Sequence, residues 1–399
     1  MSFKFPLIEN TYDQTDIDVM IDVLRSDKLT MGKKVEQFER EFSKYIGSNY
    51  SIMVNSGSSA NLLAMSVATN YMRKNKLNTG DKIIIPNICW STSIWPLIQM
   101  GLIPVFVDVD PDTMNIDINE LKKIITPDIK GIMVVHILGN CTNMNEIMNI
   151  VNDNNLFLIE DTCESLGSTY NGKKLGTFGD FGTYSFYYSH HITTIEGGMI
   201  VCNNKEDYEL LKCLRSHGWI RQLDDKEKYI KENPNIDPRF LFVNLGYNLR
   251  PMETQGAMGL NQLKRLDFKN NNRVTNHNRI LDKLLNDSRN LEIFSTPKKQ
   301  INSEPAWFSL TIILGENYEK DYKSFLEYLT ESGVENRPVV TGNFARQPVF
   351  KYLNIDINPE SFKGAEILHN RGFFIGLSCE IMDGDKINEL IDIFYDYRF

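Results

Sequence analysis

The sequence lacks the features that mark metal-binding, nucleic-acid-binding and membrane proteins. Its six cysteines lie far apart and none forms a CxC or CxxC pair, so neither a zinc ribbon nor an iron–sulfur cluster is expected. The formal net charge is −9, which argues against a nucleic-acid surface. No apolar run is long enough to span a bilayer, and MSFKFPLIENTYDQ lacks the basic-then-apolar pattern of a signal peptide. We therefore expect a cytoplasmic protein with reduced thiols, no metal, and neither a membrane nor a nucleic acid as its partner.

Length and composition indicate a globular protein with more than one structural unit. The chain has 399 residues, of which 42% are hydrophobic and 24% charged, and it exceeds the size at which a single core stops growing. We predict an N-terminal segment and large domain over residues 1–268 and a smaller C-terminal α/β domain over residues 269–399. The Asn- and Lys-rich segment KNNNR, residues 269–273, is predicted to be an exposed boundary.

Apolar segments alternate with helical segments in the first half of the chain. Strands are predicted at 82–87, 103–110, 130–138 and 156–162. Continuously apolar strands between helices indicate a parallel sheet that is covered on both faces and binds ligands at the carboxyl ends of its strands. Asp161 and Glu164 follow the last of these strands, and residues 179–198 include the next one. Polar side chains of both segments are therefore expected at the ligand-binding edge.

Small residues connect a strand to a helix near residue 57. The apolar residues 52–54 are followed by NSGSS and then by a helix from about Ala60. Free backbone N–H groups and the positive end of the helix dipole make such a junction an anion site, to which Ser58 and Ser59 could add hydroxyl donors. Helix N-capping by serine explains the same residues without a ligand.

Residues 179–198, GDFGTYSFYYSHHITTIEGG, contain two adjacent histidines where a strand meets a loop. Residues 184–188 are predicted to form a buried strand, and the Glu-Gly-Gly at 196–198 a tight turn. A histidine in a loop is more often a hydrogen-bonding surface residue than a catalyst. This pattern alone therefore assigns no role to His190 or His191.

An ordered set of motifs resembles one protein family, although each motif is weak by itself. The motifs are LTMG, NSGSSANLLA, ICWSTSIWP, FVDVDPDTMNID, EDTCESLGS, GTFGDFGTYSF, EGGMI, RSHGWIR, GYNLRPMETQGAMGLNQLKRL and RPVVTGN. Together they are similar to the DegT/DnrJ/EryC1/StrS sugar aminotransferases over nearly the whole chain. That resemblance implies the type I (aspartate aminotransferase) fold, with a large, mostly parallel mixed sheet domain and a smaller C-terminal α/β domain. It also implies pyridoxal 5′-phosphate as cofactor.

The resemblance assigns cofactor-binding roles residue by residue. Asp161 would pair with the pyridine nitrogen, Trp90 would stack over the ring, and Glu164 would lie beside the ring. The residues assigned to the phosphate are Gly57, Ser58, Ser59, Ser185 and, from a neighbouring subunit, Asn248. A residue shared between subunits implies a homodimer with shared active sites. The structural alternatives are helix N-capping by Asp161 and core packing by Trp90.

Three further residues are candidate substrate contacts. His217 in RSHGWIR and Arg250 in NLRP could contact the sugar nucleotide. Arg337 could hold the glutamate carboxylate or the sugar phosphates, because a guanidinium matches such groups bidentately. A structural salt bridge is the alternative for each of them. His191 is interpreted as supporting its neighbour.

The chain departs from the family where most members carry the lysine that binds the cofactor covalently. Counting from Ser185 or back from Glu196 places His190 at that position. Imidazole cannot form the covalent link, so the cofactor is expected to be held non-covalently. His190 can still act as a general base, because the unperturbed pKa of histidine is about 6.5. In this respect the chain resembles the lysine-lacking nucleotide-sugar C3 dehydratases of the family.

Resemblance to that subgroup implies a reaction. L-Glutamate would convert pyridoxal phosphate to pyridoxamine phosphate, and the C3 hydroxyl of a nucleotide-linked 4-keto-6-deoxy sugar would then be removed. The products would be the 3-deoxy-4-keto sugar, ammonia and 2-oxoglutarate. GDP is favoured as the nucleotide because SFYxxHHIT and GYNLRPME are most similar to the GDP-sugar members, which work without an iron–sulfur cluster.

The sequence leaves several alternatives open. The sugar could be a hexose or a heptose, and the pathway could lead to lipopolysaccharide or to capsule. A nucleotide-sugar aminotransferase that uses histidine in an unusual way is a second candidate function. A catalytically silent sugar-binding paralogue is the third.

Overall fold

The computed structural model describes residues 3–9, 11–290 and 292–399. The α-helices are α1 (Gln14–Leu24), α2 (Lys33–Ile46), α3 (Gly57–Ala68), α4 (Ser91–Gln99), α5 (Ile118–Ile124), α6 (Met144–Asn154), α7 (Lys205–Arg215), α8 (Lys226–Glu232), α9 (Glu253–Leu263), α10 (Leu266–Leu285), α11 (Tyr322–Glu331), α12 (Val349–Tyr352), α13 (Lys363–Arg371) and α14 (Gly384–Asp396). The strands are β1 (Tyr50–Val54), β2 (Lys82–Pro86), β3 (Ile103–Val107), β4 (Ile129–Val135), β5 (Phe157–Asp161), β6 (Thr169–Tyr170), β7 (Lys173–Lys174), β8 (Phe181–Ser185), β9 (Gly198–Cys202), β10 (Phe294–Ser295), β11 (Ser303–Glu304), β12 (Ser309–Leu314), β13 (Asn336–Pro338) and β14 (Gly372–Gly376). Short 3-10 helices lie at Ile137–Gly139, Pro238–Phe240, Glu316–Asp321, Phe344–Arg346 and Pro359–Ser361.

A seven-stranded sheet organises the larger part of the molecule, in the order β1-β9-β8-β5-β4-β2-β3. The contacts among β3, β2, β4, β5 and β8 are parallel, whereas β9 runs antiparallel to both β1 and β8. The predicted mixed, mostly parallel sheet is therefore confirmed. Its parallel strands direct their carboxyl ends, including that of β5, to one edge.

Both faces of this sheet are buried, as its continuous apolar strands predict. In β2, Ile83 and Ile85 pack into one hydrophobic cluster, whereas Ile84 packs into another on the opposite face. Alternate residues of a strand point to opposite faces, so helices must cover both of them.

The buried strand predicted at residues 184–188 begins earlier in the structure. Strand β8 covers Phe181–Ser185, and its last pair joins Ser185 to Gly198 of β9. Tyr187 lies beyond the strand and is 46% exposed. The run of aromatic residues thus continues past the end of the sheet and into the loop that carries His190.

A second, antiparallel sheet of order β10-β12-β14-β13 lies in the C-terminal part of the chain. It packs with α10, α11 and α14 around a separate core that includes Phe294, Phe325 and Phe394. The proposed boundary at residue 269 lies in the first turn of α10. Phe5 also packs in this core and bridges to Val334, so part of the N-terminal segment contacts the C-terminal unit.

Within the segment KNNNR only Asn271 is exposed and the other four residues are buried, so the prediction of an exposed boundary is wrong. On α10, Asn270 donates to the carbonyl of Leu166, and Asn272 donates to the carbonyl of Cys379. Lys269 and Arg273 are also buried. Amide side chains can be buried when distant backbone carbonyls accept their hydrogen bonds, and the local sequence does not reveal those partners.

Over the described ranges, no helix combines the length and the apolar character needed to cross a membrane. No group of His, Cys, Asp and Glu side chains within the same ranges is arranged to hold a metal ion.

Candidate active site

A cavity of about 660 Å³ lies between the carboxyl edge of the large sheet and the C-terminal unit. It is lined on one side by residues that follow β1, β5 and β8, and on the other by residues of β12 and β13. The predicted site residues that line it are Gly57, Ser58, Trp90, Asp161, Glu164, Ser185, His190 and Arg337. The structure therefore brings together residues that lie up to 280 positions apart in the sequence.

Asp161 is the last residue of β5, and its carboxylate is held by neutral donors. Oδ2 accepts from Ser93 Oγ at 2.7 Å and from Asn61 Nδ2 at 2.8 Å, and Oδ1 accepts from the Cys163 N–H at 3.1 Å. Turns rather than a helix follow the strand, so Asp161 is not a helix N-cap. Among the described residues its carboxylate forms no ion pair, which leaves its charge available to a cationic ligand atom.

The start of α3 forms an anion cradle. Ser56 is the N-cap, because its Oγ accepts from the Ser59 N–H at 3.0 Å. Ser59 is thus engaged in capping, whereas Gly57 and Ser58 face the cavity. A Cβ atom on Gly57 would lie 2.5 Å from Cβ of Ser185, so only glycine allows Ser185 to approach the helix this closely.

His190 lies in the loop after β8, half-buried against the ring of Phe308 with 5.3 Å between ring centroids. Its Nδ1 is buried and has no hydrogen-bond partner among the described residues. Burial lowers the pKa of His190 to about 4, although the charge of Asp161 opposes that shift. The imidazole is therefore neutral at pH 7 and is a weaker base than an unperturbed histidine.

His191 does not line the cavity and holds the loop that carries His190. It is buried, and its Nε2 donates to the carbonyl of Ala306 at 2.9 Å. This bond fixes the loop against the segment that leads into β12, and so fixes the position of the neighbouring His190.

Glu164 and Trp90 occupy other walls of the cavity. Glu164 accepts from the Leu138 N–H at 3.0 Å, and burial raises the pKa of its carboxyl to about 7. Trp90 is the N-cap residue of α4 and is 56% exposed, so it does not pack in the core. Its indole face is available to a flat ligand.

Arg337 lines the more exposed part of the cavity on β13. Its Nη2 lies 3.2 Å from Oε1 of Glu335, and its side chain is 60% exposed. This ion pair engages only part of the Arg337 guanidinium, because much of that group remains exposed to the cavity and to solvent. Both interpretations made from the sequence, a structural salt bridge and an anion contact, therefore agree with its position.

Asn248, His217 and Arg250 do not line this cavity. His217 and Arg250 cluster at Trp219, with 4.9 Å between the rings of His217 and Trp219 and 5.8 Å from the Arg250 guanidinium to the indole. Asn248 is exposed and pairs with Ser216. Within a single chain, the predicted contacts of these three residues with the cofactor or the substrate are not formed at this cavity.

Sequence reasoning missed several residues of the site. Ser93 and Asn61 hold Asp161, Phe308 packs on His190, and Arg273 lines the cavity. Ser93 lies within the motif ICWSTSIWP, and that motif is the feature of the sequence that could have identified it. Arg273 stood in a polar segment whose burial could not be foreseen.

The donor set of the cavity fits pyridoxal phosphate. A buried carboxylate without a counter-ion suits the protonated ring nitrogen, the cradle suits a phosphate, and the exposed indole of Trp90 suits the ring face. No lysine is among the residues that line the described cavity. A cofactor here is therefore held without a covalent bond to lysine.

The comparisons with known proteins agree with this geometry. Residues 10–394 match the DegT/DnrJ/EryC1/StrS aminotransferase family. The chain is 42% identical over 393 residues to GDP-4-keto-6-deoxy-D-mannose 3-dehydratase of Escherichia coli O55:H7, covering 98% of this chain and 99% of that protein. Its fold is similar, with a TM-score of 0.91 and 39% identity, to a histidine-to-asparagine mutant of GDP-4-keto-6-deoxymannose-3-dehydratase with bound GDP-perosamine, over 98% of this chain and all of that one.

A second solved structure, GDP-4-keto-6-deoxymannose-3-dehydratase with a trapped PLP-glutamate geminal diamine, has a TM-score of 0.91 and 38% identity over 98% of this chain and 100% of that one. These similarities confirm the fold predicted from the motifs.

Proposed function

Because the chain belongs to the DegT/DnrJ/EryC1/StrS aminotransferase family, we propose that it is a pyridoxal phosphate- and L-glutamate-dependent 3-dehydratase of a GDP-linked 4-keto-6-deoxy sugar. The products are the 3-deoxy-4-keto sugar, ammonia and 2-oxoglutarate. One observation carries the proposal: His190, which motif spacing assigns to the position of the family's lysine, lies in the cavity with an Nδ1 that has no partner among the described residues. The dehydratases to which the chain is similar support the substrate class.

The proposed binding roles follow from the contacts of the site. Asp161 would face the ring nitrogen, Trp90 would cover the ring, and the cradle of Gly57, Ser58 and Ser185 would take the phosphate. When bound, the cofactor supplies the electron sink and the electron pair that allow the C3 hydroxyl to leave. Glu164, with a pKa of about 7, can hold a proton beside it.

His190 is the proposed proton acceptor. Because its pKa is lowered to about 4, the ring is neutral at cellular pH and Nδ1 can take a proton as the hydroxyl leaves. Imidazole cannot capture the cofactor covalently. His190 would therefore act only on protons. We expect the nitrogen to be released as ammonia, whereas an aminotransferase would keep it on the sugar.

We also propose a homodimer in which each active site receives Asn248, His217 and Arg250 from the second subunit. Exposed apolar side chains near that segment support an interface, among them Leu29, Phe242, Leu245 and Met252. The six cysteines are free, which supports a reducing compartment such as the cytoplasm.

The test is product analysis. The protein would be incubated with L-glutamate and a panel of GDP-, CDP-, UDP- and dTDP-linked 4-keto-6-deoxy hexoses and heptoses. We expect a GDP sugar to lose one oxygen atom with one equivalent of ammonia released. His190→Asn should lower the rate by about 100-fold or more. An amino sugar as product would establish the aminotransferase instead, and binding without turnover would establish the silent paralogue.

A further inference from the structure

The guanidinium of Arg273 is buried in the wall of the active-site cavity, and two of its three nitrogen atoms have no hydrogen-bond partner among the described residues. The residue is on α10, is 5% exposed and lines the cavity. Its Nε and Nη1 atoms are buried and make no hydrogen bond with any described residue. It also forms no ion pair in the described part of the chain, whereas Arg279, six residues further along the same helix, donates to the carbonyl of Met382 at 2.6 Å.

Cys379 has the larger electrostatic influence on Arg273, and the carboxylate that also acts on it, that of Glu9, is already engaged elsewhere. Glu9 acts on the guanidinium electrostatically, but its carboxylate accepts from Ser378 and lies 3.7 Å from Lys386. Ser309, which also lines the cavity, has a buried hydroxyl that likewise makes no hydrogen bond with a described residue. A buried cation without a partner costs free energy, so its retention beside other unsatisfied polar atoms indicates a ligand anion.

We propose that Arg273 binds a carboxylate of the amino donor, L-glutamate. This assignment rests on the proposed function for the identity of the donor. A guanidinium donates several hydrogen bonds in one plane and suits a carboxylate, and Ser309 can donate a further one. The wall that Arg273 shares with His190 thus becomes the carboxylate pocket of the glutamate half-reaction.

The other anions of the reaction have better-placed partners. A cofactor phosphate has the cradle at the start of α3, where Gly57 and Ser58 line the cavity. The diphosphate of a nucleotide sugar is separated by the sugar from the carbon that reacts, and the accessible Arg337 suits it. The keto sugar itself carries no negative charge near its reacting carbons. Among the substrates, only the amino donor brings a carboxylate close to the base.

The experiment compares Arg273→Gln with Arg279→Gln, a control on the same helix outside the cavity. The first readout is calorimetric binding of glutarate, a dicarboxylate without the amine, to each holoenzyme. The second is the concentration of L-glutamate that half-saturates conversion of the cofactor, followed by absorbance. The third is a single turnover of the GDP-linked sugar with pyridoxamine phosphate supplied directly.

We expect Arg273→Gln to weaken glutarate binding and raise the half-saturating glutamate concentration by about tenfold or more, since a charge-assisted hydrogen bond is lost. The single turnover of the sugar should stay within about twofold of wild type, as should every readout of Arg279→Gln. Glutarate affinity within about twofold of wild type, or equal losses in both half-reactions, would overturn the assignment.

Two further outcomes are distinguishable. If Arg273→Gln does not fold, Arg273→Lys keeps the charge, and its weaker geometric match should still reduce glutarate affinity by several-fold. Unchanged affinity in that variant would equally refute the assignment. If the wild-type protein binds glutarate through Arg273 but converts no GDP sugar, the carboxylate pocket stands and the proposed dehydration fails.

Discussion

The hydroxyl of Ser93 donates to Oδ2 of Asp161 over 2.7 Å, at the bottom of the cavity and at the end of β5. Asn61 donates to the same oxygen from α3, and Thr183 of β8 donates to the Oδ1 of Asn61 at 2.6 Å. Three elements of the large domain therefore converge on one carboxylate. The network orients Asp161 and stabilises its charge without supplying a counter-ion, which leaves that role to the ligand.

This network predicts a graded loss of cofactor affinity. Asp161→Asn removes the charge and should weaken pyridoxal phosphate binding by about 100-fold, whereas Ser93→Ala removes one hydrogen bond to it and should weaken binding by about fivefold. Fluorescence titration of the apoprotein with pyridoxal phosphate measures both. Ser66→Ala, a buried serine outside the cavity lining, is the control. Equal affinities in Asp161→Asn and wild type would contradict the proposed contact with the ring nitrogen.

The close approach of Gly57 to Ser185 predicts that Gly57→Ala is harmful. The new Cβ would lie 2.5 Å from Cβ of Ser185 and 3.1 Å from Sγ of Cys163, so the helix start or β8 must shift. We expect a loss of about 1–3 kcal/mol in unfolding free energy and weaker binding of both the cofactor and inorganic phosphate. Gly384→Ala, where a Cβ meets no atom within 4 Å, should be neutral or slightly stabilising. If the two variants behaved alike in denaturant titrations, the cradle would not depend on this contact.

Much of this site can be predicted from the sequence because several of its functional side chains lie at the ends of strands. Asp161 ends a continuously apolar strand and Ser185 ends another, so the parallel arrangement alone places both at one edge. The spacing of His190 from Ser185 and from the Glu-Gly-Gly turn predicts that it stands where most family members carry the lysine. These inferences depend on local order along the chain, which a sequence displays directly.

Other features depended on partners that are distant in the sequence. Asn270 and Asn272 are buried because they bond to carbonyls 104 and 107 residues away. The aromatic run at 184–188 did not mark the end of β8, because pairing with β9 stops at Ser185 and Gly198. The lowered pKa of His190 arises from burial by the surrounding residues, and composition does not encode that burial.

Buried histidines predict that the apoprotein loses stability at mildly acidic pH. His277 is stacked on Trp307, and burial lowers its pKa to about 4. Burial also lowers the pKa of His190 to about 4. Between the unfolded value of about 6.5 and pH 4, the unfolded chain binds protons that the folded chain excludes, so stability falls as the pH falls. His277→Gln should flatten this dependence by up to about 3 kcal/mol, measured by denaturant unfolding at each pH.

Glu164 acts with the opposite sign. In the folded protein the pKa of Glu164 is raised to about 7. Its protonation therefore adds to the free energy of unfolding, fully at a pH below its pKa in the unfolded chain and less as the pH rises toward 7. Glu164→Gln should therefore steepen the fall in stability on acidification, whereas His277→Gln makes it shallower. The same direction of change in both variants would refute these assignments.

The proposed homodimer with shared active sites predicts that two inactive variants restore each other. His190→Asn disables the site of its own chain, whereas Arg250→Gln should disable the site of the other subunit. In a mixed dimer one site then carries both substitutions and the other carries neither. Random pairing makes half of the molecules mixed, so co-refolding equal amounts should recover about a quarter of wild-type dehydration. If Arg250 served the cavity of its own chain, each site of the mixed dimer would carry one lesion and no activity would return. Mixing His190→Asn with Arg337→Gln is the matched control: Arg337 lines the cavity of its own chain, so that pair should not complement.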